Sequence, residues 1–193
     1  MPRTVNPQVV ISLLRGINLL KNKRVKMDAL RAVYESLGFE EVETWLQSGN
    51  VVFKTRPCEL TGLARRIEAA IEREFAFHSD VILRTPEELA GAVAKNPFAA
   101  RPGLDPAKLL INFLADDPGA DAREQVRALK TDPEELWIEG RELYIYFPNG
   151  MGRSKLPLAR IEKILKTRGT GRNWTTVNKL HEMAWTKRTS RYK

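Results

Sequence analysis

The sequence predicts an α+β protein: two ferredoxin-like (βαββαβ) halves in tandem, with a connecting helix and an extra C-terminal helix. Three observations carry this. Strand-like and helix-patterned segments follow the same order twice. Each half contains a tight hairpin at a glycine. A turn-rich stretch with two prolines, RPGLDP (101–106), separates the two runs.

VVISLLRG (9–16) is a short apolar run ending at Arg-Gly, as a buried strand does. After the basic segment KNKRVK (21–26), Met27, Leu30, Tyr34 and Leu37 fall on one helical face, and Gly38 suits the helix end. VETWLQ (42–47) and NVVFK (50–54) flank Ser48-Gly49 as a hairpin. Leu60, Leu63, Ile67, Ile71 and Phe75 give a second helical face, and DVILR (80–84) a further strand. These make a first half over 1–84. Thr85-Pro86-Glu87-Glu88 reads as a helix start with a capping box, and that connecting helix stops near Asn96-Pro97. With the linker it covers 85–107.

The order then repeats over 108–185. KLLINFLA (108–115) is a strand and ADAREQVRALK (120–130) a helix. ELWIE (135–139) and ELYIYF (142–147) form a hairpin about Gly140-Arg141. A Pro-started helix carries Leu158, Ile161, Ile164 and Leu165, and a short strand is expected around 167–170. The last helix is expected from about 174 to 184, and the end, 186–193, reads as a frayed basic tail.

The 193 residues are 42% hydrophobic, ordinary for a globular protein. No apolar run approaches the roughly 20 residues of a membrane helix, so no membrane is expected. The start, MPRTVNPQ, lacks a signal-peptide pattern, and one cysteine, Cys58, allows no internal disulfide. A soluble cytoplasmic protein is the expectation. The net charge of +8 is uneven: residues 150–193 hold twelve Lys or Arg against Glu162 and Glu182 alone. Such asymmetry suits a polyanionic or phosphorylated partner, or else a surface that is merely basic.

Familiar chemistry is sparse. His78 and His181 have no ligand spacing and one cysteine makes no zinc cluster, so no metal is expected. Cys58 follows Arg56-Pro57 without a recognisable base. Asp116-Asp117, before Pro118-Gly119, reads as a turn and cap rather than a magnesium site. Neither a nucleophile elbow nor a nucleotide-binding glycine motif is present, so no cofactor can be read. Nor can an oligomeric state.

Four segments hold candidate ligand groups. In LLRGIN (13–18), Arg15 and Asn18 flank a glycine at a strand end. In LQSGN (46–50), Gln47, Ser48 and Asn50 surround a hairpin tip, where turn chemistry is the alternative. In NGMGRSKL (149–156), Arg153, Ser154 and Lys155 precede a helix, as phosphate-binding loops do. In GRNW (171–174), Asn173 suits the N-cap and Trp174 anchors the helix. Arg172 precedes a helix N-terminus, where a cation is disfavoured unless an anion or buried carboxylate faces it.

LLRGIN, the Met27–Leu30–Arg31 helix start, LQSGNVVF, GRSKL and RNWTTVNKL, in that order over about residues 9–184, resemble the family called domain of unknown function 1697. The resemblance implies a two-part α+β protein of ferredoxin-like halves and no particular activity. Its distinctive polar residues fall on Arg15, Asn18, Gln47, Ser48, Asn50, Arg153, Ser154, Lys155, Arg172, Asn173 and Trp174. Leu20 and Lys21 stand where the family usually has two glycines, which moves weight to Lys23, Arg24 and Lys26 as mobile charges.

The leading expectation is a binding module for a phosphorylated ligand, nucleic acid or a phosphorylated small molecule, in a basic polar cleft between the halves. Trp45, Phe53, Trp137, Tyr144 and Tyr146 are strand aromatics for stacking bases. The alternatives are an enzyme on a small anionic substrate, with Arg15, Arg153, Lys155 and Arg172 as anion ligands, and a structural or protein-interaction domain.

Overall fold

The computed structural model describes residues 6–19 and 24–190. The chain divides into two compact units, Met1–Leu89 with Leu180–Lys193, and Ala90–Lys179.

In the first unit, β1 (Gln8–Leu14), α1 (Met27–Ser36), β2 (Glu40–Trp45), β3 (Asn50–Thr55), α2 (Leu60–Phe75) and β4 (Val81–Arg84) follow in sequence. The strands form one antiparallel sheet in the order β2-β3-β1-β4. Alternation along the strands sends Val10, Leu14, Val51, Phe53, Val81 and Leu83 to one face. There they pack with Leu30, Val33 and Tyr34 of α1 and Leu63, Ile67 and Ile71 of α2. Burying each such large apolar side chain contributes about 1.5–3 kcal/mol. Tyr34 and Phe53 meet edge-on at 5.3 Å between centroids, and Phe53 stacks on Phe39 at 4.5 Å. The Tyr34 hydroxyl shares a 2.7 Å hydrogen bond with Ser12 Oγ. Burial raises its pKa above the ordinary tyrosine value. The opposite parity, Ile11, Leu13, Val52, Ile82 and Arg84, is buried as well.

Two helix ends follow from local chemistry. At the end of α1, Gly38 has φ +79°, and the amides of Gly38 and Phe39 donate to the carbonyls of Glu35 and Tyr34. Positive φ is cheap only for glycine, and this bond pair with its Phe39–Tyr34 ring contact is the usual glycine helix stop. At the start of α3 (Pro86–Ala94), Thr85 N donates to Glu88 Oε2 (2.8 Å) and Glu88 N to Thr85 Oγ1 (3.2 Å). This is the reciprocal capping box the sequence predicts.

The second unit repeats the order: β5 (Leu109–Leu114), α4 (Ala120–Arg127), β6 (Glu135–Glu139), β7 (Glu142–Tyr146), α5 (Leu158–Leu165) and β8 (Gly169–Asn173). Its antiparallel sheet runs β6-β7-β5-β8. Leu114, Ile138, Leu143 and Ile145 pack with Val126 of α4 and with Ile161 and Leu165 of α5. On the other face Tyr144 donates its hydroxyl to Ala92 O (2.8 Å).

Two expectations need correcting. β8 begins two residues and ends three residues later than 167–170, and so takes in Gly171, Arg172 and Asn173. The last helix, α6 (Trp174–Thr189), runs past 184 into the expected tail. Lys187, expected to be free there, is buried and ion-paired to Glu43.

Candidate functional site

Five predicted ligand residues gather at one end of the first sheet. β1 finishes there and β3 begins there, with Leu14 N donating to Gly49 O (2.9 Å). Asn18, at φ 56°, ties the loop after β1 to the hairpin tip. Its Nδ2 donates to Gln47 O (2.6 Å) and Val25 O (3.1 Å), and its Oδ1 accepts from Val25 N (2.8 Å). Asn50 is fully buried; its Nδ2 donates to Trp45 O (2.8 Å) and Ser48 Oγ (2.9 Å). Gly49 is a steric necessity: a Cβ there would lie 2.7 Å from Ile17 Cδ1 and Leu14 Cβ. Arg15 pairs with Asp80 at 3.7 Å, and Asp80 Oδ1 accepts from His78 Nε2 at 3.1 Å in the tautomer that carries its proton there. The Gln47 side chain is exposed. The polar groups of LLRGIN and LQSGN thus largely satisfy one another and the backbone. Leu20, Lys21 and Lys23 lie outside the described residues, and Arg24 and Lys26 are exposed.

The other five lie in the second unit. Arg172 lies in β8, beside Ile111 of β5, and immediately ahead of Asn173, the cap of α6. The residue is 6% exposed, and its guanidinium donates to Thr170 Oγ1 and Gly171 O, both at 2.8 Å. Desolvation pulls its pKa down to about 10, so it stays charged at neutral pH. Asn173 caps α6 as predicted, its Oδ1 accepting from Thr176 N (2.8 Å), and Trp174 is half-buried. Ser154 Oγ accepts from Leu156 N (3.0 Å) in the turn that follows Met151–Arg153. Arg153 and Lys155 are exposed.

The signal that motif reading missed is a run of charge. Arg153, Lys155, Arg160, Lys163 and Lys166 are all exposed, and none makes an ion pair with a described residue. Elsewhere in the same unit three arginines are matched, Arg101 to Glu135, Arg123 to Asp117 and Arg127 to Glu139, while the exposed Lys95 and Lys130 stand apart from one another in sequence rather than in a run. Arg160, Lys163 and Lys166 line a groove of about 470 Å³ between α4 and α5, with Asp121 and Gln125 opposite. Only Glu162 offers a negative charge between 153 and 166.

The strand aromatics need correction. Phe53 and Tyr144 are fully buried in the packing described above, so neither can stack a base. Trp45 and Tyr146 are half-buried. Trp137 is 41% exposed, with the Arg127 guanidinium 4.9 Å from its ring centre. Among the described residues no helix is long and apolar enough to cross a membrane.

The arrangement defines a two-unit α+β protein with one internally bonded polar end and one open basic groove. It belongs to the family described as "Protein of unknown function (DUF1697)", whose model matches residues 8–144. No curated protein matches the chain. Among solved structures it is similar to the conserved bacterial protein SP0830 from Streptococcus pneumoniae, at 23% identity and a TM-score of 0.73, over 93% of this chain and 99% of that one. That likeness is one of fold.

Proposed function

We propose that the chain is a cytoplasmic binding module for a phosphorylated ligand, with nucleic acid as the class tested first. The ligand is held on the basic run 153–166 of the second unit. We read each unit as a ferredoxin-like half, a platform that nucleic-acid binders often use; the repeated βαββαβ order and matching strand orders support this. The observation that carries the function is the set of five exposed cations that make no ion pair with a described residue, three of them lining one groove. Cations left open to solvent attract polyanions, while those matched to carboxylates do so weakly. Trp137 is the strand aromatic exposed enough to add stacking.

The test is binding of a single-stranded oligonucleotide across a salt series. Affinity should fall as salt rises, with a slope near −0.7 per phosphate contacted. The triple variant R160Q/K163Q/K166Q should flatten that slope by about two units and leave thermal stability within roughly 0.5 kcal/mol. Binding that is absent, or indifferent to salt, sinks the proposal. For LLRGIN and LQSGN a structural role is the better reading, supported by the hydrogen bonds of Asn18 and Asn50.

A further inference from the structure

A second cavity, of about 290 Å³, lies wholly within the first unit. Its charged lining is Lys54, Lys187, Arg188 and Glu87: three cations to one carboxylate. The two ammonium side chains are only 6% exposed. Burying an ammonium is costly unless its charge and its three N–H donors are answered. Here they are answered in part. Lys187 Nζ donates to Glu43 Oε1 at 2.5 Å, while Glu41 Oε2 at 3.9 Å is too distant for a hydrogen bond. Lys54 Nζ donates to Glu41 Oε1 at 2.5 Å and, weakly, to Ser190 Oγ at 3.4 Å. Donors are therefore left over on two buried charges at the edge of an open cavity.

The carboxylates are differently placed. Glu41, Glu43 and Glu87 have side chains 48–56% exposed, so they can turn to water, and Glu41 and Glu43 do not line the cavity. A bulge in β2, with the register shifting between Glu40 and Glu43, brings both onto the lysines. Such bulges are commonly used to re-aim side chains beside a site. Arg188, paired with Glu87 and half-exposed, supplies a forked donor.

We propose that this cavity binds a small phosphomonoester dianion. The ligand takes the place of Glu41 and Glu43 on the two lysines. With those carboxylates turned to water, the lining is net positive and matches a charge of about −1.5 to −2 at neutral pH. The ligand's oxygens supply acceptors to the lysine donors, and the cavity is at the small end of ligand pockets. The site is independent of the α4–α5 groove.

Calorimetric titration of the full chain at low salt, with O-phosphoserine, inorganic phosphate and acetate as separate probes, tests it. O-phosphoserine and phosphate should bind one per chain, at least about tenfold more tightly than acetate. R188Q, at a half-exposed position, should weaken them by about tenfold with little change in thermal midpoint. K187M should remove binding; if K187M does not fold, R188Q carries the test. R160Q/K163Q/K166Q should leave these affinities unchanged, which separates this site from the groove. Phosphate and O-phosphoserine binding no better than acetate, or binding intact in R188Q, overturns the proposal.

Discussion

At the end of the first sheet, Asn18, Ser48 and Asn50 commit their hydrogen-bonding groups to the backbone and to one another. In the second unit, Arg153, Lys155, Arg160, Lys163 and Lys166 face solvent and meet no carboxylate among the described residues. Both regions are rich in groups that bind ligands, in units with the same order of strands and helices. The difference teaches that residue type alone does not mark a site. What matters is whether the bonding capacity is already used. An asparagine with three intramolecular bonds is part of the architecture, and an exposed lysine without a partner is still available.

The largest expected effect tests the architectural side. Gly49→Val places a Cβ in the space of Ile17 and Leu14, at a φ of +73° that a β-branched residue rarely adopts. Strain and overpacking together should cost about 2–5 kcal/mol. Urea denaturation measures it. A cost below about 1 kcal/mol would mean that the loop after β1 does not pack on the hairpin tip as described. Asn18→Ala comes next. It removes three hydrogen bonds and leaves Val25 N and two carbonyls to find water, for about 1–3 kcal/mol. Oligonucleotide affinity should stay the same. If affinity fell and stability did not, the contrast between the two regions would be reversed.

Much of this was legible in the sequence because it rests on local rules. The hairpins at Ser48-Gly49 and Gly140-Arg141, the capping box at Thr85 and the cap at Asn173 need only neighbours within a few residues. β8 was displaced because GTGRN has no apolar alternation. Its glycines are explained by partners distant in sequence: a Cβ at Gly171 would come within 3.0 Å of Leu110, and one at Gly169 within 2.8 Å of Asn112. The burial of Lys187 depends on Glu43, 144 positions away, so no local pattern could distinguish it from a tail cation. Arg172 looked like a ligand for an anion because strand membership was not visible; once it is a strand residue, Thr170 two places back is its natural neighbour.

Helix starts extend the comparison at a smaller scale. In the first unit Glu59 caps α2, its carboxylate accepting from Thr61 N (2.7 Å) and Gly62 N (2.8 Å). In the second unit neither Gly119 before α4 nor Pro157 before α5 makes a side-chain cap bond. Of these three starts, only that of α2 has a carboxylate on its first amides; α1, after Lys26, has no side-chain cap bond either. The amide bonds of Gly62 and Thr61 hold the Glu59 pKa below its ordinary 4.5. A carboxylate lowered in the folded state binds fewer protons there than in the unfolded chain. Its stabilisation is therefore present above pH 4.5 and is lost as pH falls through the lowered folded value. Glu59→Gln should lower the thermal midpoint slightly at pH 7, and the two proteins should converge as the solution is acidified below 4.5. A midpoint difference that persists unchanged into acid would show that the charge contributes nothing to the cap and that shape alone sets this helix start.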